Sequence, residues 1–282
     1  MICLWDLRVG DADEFLKKPV MVINKAHGTG RTAGRKGKLT APPARGVTSV
    51  CFSGCDEYGV ISGGSYDGVL RQWDLRYLSS KRYTSGQNSV PKAITSPSLL
   101  SSADPTTYKG DRRARGITSL VVGSGASAGL LFALSNDSRV HTYDMSTLEP
   151  LSGWTEDPSN DLWSYGHENM HTNSFYVRLA MSPCGRWLAS GGAANGSVYL
   201  FDVTSSSANR RGPAFSDGRG LGVELQGQKG EVGAVDWAEG MVACCADDGT
   251  VRIWRQDLET YRSCEDDPEE MKWRWSWSAN IR

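Results

Sequence analysis

Short runs of alternating apolar and polar residues, bounded by glycine, asparagine or aspartate, recur along the whole chain. Residues 47–52 (Val-Thr-Ser-Val-Cys-Phe) alternate with a period of two, the mark of a half-buried strand. A turn, a second run at 60–63, the turn Ser65-Tyr66-Asp67-Gly68 and a third run at 69–73 follow. Asp-Gly between two such runs predicts a hairpin, because glycine tolerates the positive φ that a tight turn requires. The same order predicts strands at 117–122, 130–134 and 140–143, at 176–181, 187–190 and 198–201, and at 232–237, 242–245 and 251–254. A lone third strand at 2–5 precedes these copies. Outer fourth strands are expected at 19–23, 222–225 and 273–277, and are obscure elsewhere.

Each copy ends on an aromatic, at positions 5, 73, 143, 201 and 254. Two of these ends read Trp5-Asp6-Leu7-Arg8 and Trp73-Asp74-Leu75-Arg76; the others read Tyr143-Asp144-Met145, Phe201-Asp202-Val203 and Trp254-Arg255. A pattern recurring five times in 282 residues is an architecture, and it predicts an all-β fold of small antiparallel sheets. The aromatics lie further apart than the repeat length of about 40–45 residues typical of four-stranded blades, so each interval carries an insertion.

Composition narrows the function. With 31 Lys plus Arg against 32 Asp plus Glu, the formal net charge is −1, which excludes a protein held to nucleic acid or an anionic membrane by bulk charge. No run of about 18 apolar residues predicts a membrane span. The seven cysteines contain no Cys-x-x-Cys pair and fall mostly in strand runs, as expected of reduced, buried thiols in a cytosolic or nuclear protein. Residues 25–45 hold Lys25, Arg31, Arg35, Lys36, Lys38 and Arg45 with no acid, a basic insertion fitted to nuclear import or nucleic-acid contact or simply to a solvated loop. Polar stretches at 79–111 and 204–219 read as further disordered insertions, and 256–282 as an acidic segment followed by Trp273, Trp275 and Trp277.

Catalytic signals are weak. His167-Glu168-Asn169-Met170-His171 matches the zinc-protease string, but that chemistry needs both histidines on one helical face, and Gly166 and Thr172-Asn173-Ser174 are poor helix formers. No phosphate loop, nucleophile elbow or supported cysteine nucleophile stands out, so no enzyme activity, metal or cofactor is expected.

The repeats resemble the WD-repeat family, and the resemblance implies a β-propeller. The four complete copies and one partial copy read as part of a larger ring, of about seven blades among the roughly 4–8 that propellers use, or else as a complete small propeller whose C-terminal tail supplies the missing strands. In that family the strand-ending indole bonds a Ser or Thr on the adjacent strand, which bonds a His before the blade, which bonds the turn Asp. Ser62 and Asp67 match those slots for Trp73, with His27 as the histidine; Ser190 and Asn195 match in the fourth copy, with His171; Asp248 and Trp254 match in the fifth, where Gln228 replaces His and a weaker network is expected.

Two successive Trp-Asp-x-Arg motifs resemble those of cullin-four ubiquitin-ligase substrate receptors. The resemblance implies that Trp5, Asp6, Arg8, Trp73, Asp74 and Arg76 dock the triple-propeller adaptor, the large subunit of the damaged-DNA-binding protein. A guanidinium on a rigid strand end is suited to this, since it makes two parallel hydrogen bonds with little entropy loss. The third and fourth copies depart from the motif at Met145 and Val203. The order of features is similar to the denticleless-type receptors, most distinctively in Asn173-Ser174-Phe175-Tyr176-Val177 and Asp247-Asp248-Gly249-Thr250-Val251-Arg252-Ile253-Trp254-Arg255. That resemblance implies a nuclear, non-catalytic subunit that presents degron-bearing proteins on the DNA sliding clamp for ubiquitination. The alternative is a general WD-repeat scaffold in a nuclear assembly, indifferent to the two arginines.

Overall fold

The computed structural model describes residues 1–5, 19, 21–28, 45–76, 99–107, 113–151, 161, 163–204 and 222–256, with 259, 262 and 266. Five antiparallel sheets follow one another along the chain. The first pairs β1 (Ile2–Leu4) with β2 (Met21–Ile23). The second comprises β3 (Val47–Phe52), β4 (Gly59–Gly64), β5 (Arg71–Asp74) and β6 (Leu100–Ser101). The third comprises β7 (Ile117–Val122), β8 (Leu130–Ser135), β9 (Arg139–Asp144) and β10 (Ser164–Tyr165). The fourth comprises β11 (Leu179–Met181), β12 (Trp187–Ser190), β13 (Val198–Asp202) and β14 (Gly222–Leu225), and the fifth β15 (Val232–Ala238), β16 (Met241–Ala246) and β17 (Val251–Arg255). In every sheet each strand pairs with its neighbour in sequence, so these are meanders, the blades of a WD-repeat β-propeller.

Period-two alternation sends successive side chains to opposite faces, and both faces of an inner blade are buried against its neighbours. On β5, Leu70 just before the strand turns toward the next blade and packs with Ile117 and Leu131, while Trp73, three residues on, turns back toward Ile23 and Ala26. Val140 and Phe201 share a cluster with Leu179 and Leu188; Val198 joins Val232 and Val235. Each seam is therefore apolar, and each buried Leu, Ile or Val stabilises it by about 1.5–3 kcal/mol. The innermost strands β3, β7 and β15 each shift register at the same place, one residue after entry.

Some expectations change. Residues 99–107, assigned from composition to a disordered insertion, form the edge strand β6 and a tight turn, because Leu70 gives its N–H to the Ser102 hydroxyl and Ser102 returns one to the Leu70 carbonyl. β10 is likewise ordered. Three sheets have four strands; the fifth has three among the described residues. Trp273 to Trp277, most of the basic and 79–111 insertions, and 205–219 lie outside them. Cys55, Cys184 and Cys245 are exposed rather than buried, since they sit in turns or on a solvent-facing strand row.

Candidate functional site

In the second, third and fourth blades the third strand ends on an Asp at one rim, and the residue after that Asp donates its N–H to the turn between the blade's first two strands. Leu75 donates to the Tyr58 carbonyl, Met145 to Gly129 and Val203 to Arg186, each at 2.9 Å. The second Trp-Asp-x-Arg motif is built on this frame. Trp73 is 2% exposed and gives its indole N–H to the Ser62 hydroxyl at 3.0 Å, which locks the end of β5. Asp74 is buried, and its carboxylate is held below the ordinary range chiefly by side-chain hydrogen bonds from Arg76, against the opposing effect of burial.

Arg76 clamps Asp74 through both carboxylate oxygens, Nε to Oδ1 at 3.0 Å and Nη2 to Oδ2 at 2.7 Å. Nη2 also reaches Asp56 at 3.2 Å, and the guanidinium carbon stands 5.2 Å from the centre of the Tyr58 ring. Its side chain remains 55% exposed. The result is a cation fixed in direction yet open to a partner. Asp56 and Tyr58 were not singled out from sequence, because they precede Arg76 by a strand pair and no spacing links them. In the first motif Trp5 is half exposed, and Asp6 and Arg8 lie outside the described residues.

The expected structural relays are realised unevenly. His27 Nε2 lies 3.0 Å from the Ser62 hydroxyl, so the Trp73–Ser62–His27 chain is continuous. It stops there: Asp67 pairs instead with Arg45 at 3.7 Å, and His27 Nδ1 has no partner among the described residues. Arg45, the last cation of the basic insertion, also stacks 4.0 Å over Tyr66.

In the fourth blade the relay is not formed. The Phe201 side chain has no N–H to give, Ser190 donates to the Gly191 carbonyl, and His171 is exposed. Asn195 instead shapes a turn, with φ +65° followed by Gly196 at +62°. The tie is made elsewhere: Ser197 and Asn169 donate to the buried Glu224 at 2.7 and 3.0 Å, and Tyr199 donates to the Asn169 carbonyl. In the fifth blade the Cys244 thiol donates to Gln228 Oε1 at 3.0 Å, and Gln228 donates to the Thr250 carbonyl. Asp248 caps the turn before β17, taking N–H bonds from Thr250 and Lys229; Trp254 packs against the apolar cluster from β17.

The zinc-protease string occupies a turn in which Met170 donates to the His167 carbonyl and Asn169 N–H bonds His167 Nδ1. Among the described residues no group of three His, Cys, Asp or Glu converges to hold a metal, and no helix is long and apolar enough to cross a membrane.

The WD domain, G-beta repeat family matches at residues 35–74, 163–202 and 221–255, the second, fourth and fifth blades. With the sheet order above, the chain is a WD-repeat propeller protein. Along 90% or more of its length it is also similar to denticleless proteins: 30% identical to denticleless protein homolog A of Xenopus laevis over 96% of this chain, and 32% to the Danio rerio homolog over 90%. It is 31% identical over 91% to the cell division cycle protein cdt2 of Schizosaccharomyces pombe. The chain belongs to the denticleless type of WD-repeat protein. It spans 34% of the length of the Xenopus and Danio relatives and 44% of the yeast one.

Proposed function

We propose that this chain is the substrate-recognition part of a nuclear cullin-four ubiquitin ligase, docking the triple-propeller adaptor through Arg8 and Arg76. It performs no bond chemistry; it supplies proximity, holding sliding-clamp-associated replication proteins where ubiquitin is transferred. The observation that carries the reading is the Arg76 guanidinium, clamped by Asp74 and Asp56 yet half exposed at a strand end. Most of the ordering cost is met before the partner arrives. Similarity to denticleless proteins along nearly the whole chain supports the same reading.

The test is co-purification of the adaptor with the tagged full chain and with the Arg8→Ala/Arg76→Ala double variant. Loss of adaptor from the double variant, with an unchanged circular-dichroism melt, is the expected result. Equal recovery from both forms would leave a general scaffold as the better description.

A further inference from the structure

The strand-ending Asp of the fourth blade is clamped by an arginine too, although its sequence carries no Trp-Asp-x-Arg motif. Asp202 ends β13 as Asp74 ends β5, and two residues on from Asp202 stands Thr204, not arginine. The cation arrives from elsewhere in the blade: Arg186 Nε and Nη2 both donate to Asp202 Oδ2, at 2.9 and 2.8 Å. The Arg186 side chain is 56% exposed, against 55% for Arg76, and its guanidinium carbon lies 5.4 Å from the Trp187 ring, against 5.2 Å for Arg76 over Tyr58. Both strand ends thus present the same composite: a clamped carboxylate, a half-open guanidinium and an aromatic ring beside it.

The two arginines share a rim. The Arg186 carbonyl accepts the N–H of Val203 just as the Tyr58 carbonyl accepts that of Leu75, so Arg186 occupies the backbone position of Tyr58. The cation here comes from the turn and not from the strand exit, and its aromatic neighbour Trp187 follows it at the start of β12. That turn is rigid. The Ser182 hydroxyl takes the Trp187 N–H at 2.9 Å, Gly185 donates to the Ser182 carbonyl at 2.8 Å, and the Cys184 carbonyl takes a bond from Ala126 of the third blade. Among the described residues the third blade shows no such clamp: Asp144 Oδ1 takes the N–H groups and hydroxyls of Ser146 and Thr147.

We infer that Arg186 is a further docking residue of this rim, contacting the same partner as Arg76 with one blade between them. The inference rests on the proposed adaptor-binding function. The partner would present two carboxylate or carbonyl acceptor groups, one for each guanidinium. A motif search misses Arg186 because it lies 16 residues before the Asp it clamps.

The experiment measures adaptor affinity of the full chain by biolayer interferometry for Arg76→Ala, Arg186→Ala, Asp202→Ala and wild type. The expected results are a loss of about tenfold for Arg186→Ala, a smaller loss for Asp202→Ala, which frees the cation without removing it, and full affinity in a Lys229→Ala control on the opposite rim. Arg76→Ala weakening while Arg186→Ala binds as wild type would overturn the inference and leave the function standing. Asp202→Ala weakening as much as Arg186→Ala would make the pair a structural brace and overturn it as well. Neither arginine mattering would remove the proposed function together with the inference.

Discussion

His27 and Ser62, 35 residues apart, meet with Nε2 3.0 Å from the hydroxyl, so the turn that opens the basic insertion is fastened to the second blade. His27 is 4% exposed; burial, reinforced by the Arg71 cation, lowers its pKa from 6.5 to about 4. The imidazole is neutral in the fold, whereas the unfolded chain takes up a proton below about pH 6.5. The stability it contributes is whole above that pH and is lost as pH falls toward 4. Thermal midpoints measured from pH 7 to 4 should fall through this window, and a His27→Gln variant should fall less. Parallel curves would remove His27 as the cause.

Ser62 is the hub of the same chain, receiving the Trp73 indole N–H and facing His27 in the interior. Ser62→Ala leaves two buried polar groups without that partner, at about 1–3 kcal/mol for each such group. We expect urea unfolding to show a loss of about 2–3 kcal/mol. Ser62→Cys should lose less, because Cys244 stands at the matching register position of the fifth blade, opposite Val235 and Arg252, and bonds Gln228.

What could be read from the chain was what depends on neighbours in sequence. The strand-ending aromatics at 73, 143, 201 and 254 and the turns before them stand out because alternation and Asx-Gly pairs are local signals. The two-residue strands Leu100–Ser101 and Ser164–Tyr165 are too short to carry a period, and are fixed by the strands they join. The fourth-blade network escaped for a different reason. Replacing the strand-ending Trp by Phe201 removes the donor, and the compensating groups converge on Glu224 from positions 169 and 197, which no spacing rule connects. Arg76 was visible through its motif; the Asp56 and Tyr58 that steady it were not.

Arg76→Lys separates charge from geometry at the proposed docking rim. Lysine keeps the positive charge but is a compact point charge without the planar fork that spans both Asp74 oxygens at 3.0 and 2.7 Å. If direction matters, the lysine variant should bind the adaptor about tenfold more weakly than wild type, close to the loss in Arg76→Ala. Wild-type affinity in the lysine variant would show that charge alone suffices.

The seam between the third and fourth blades depends on a glycine at 185. Its φ is +71°, and a Cβ there would sit 1.6 Å from the Ser124 carbonyl oxygen, a backbone atom that cannot swing away. Gly129 has φ +86° but open space around it. Alanine at 129 should therefore cost only the left-handed backbone conformation, about 1 kcal/mol. Alanine at 185 carries that cost and must also push the two turns apart, so it should lose several kcal/mol in urea unfolding. Because Arg186 follows directly, the same variant should weaken adaptor binding more than Gly129→Ala does. Equal stability of the two alanine variants would mean that the turn yields without strain, and that Arg186 is not held by the seam.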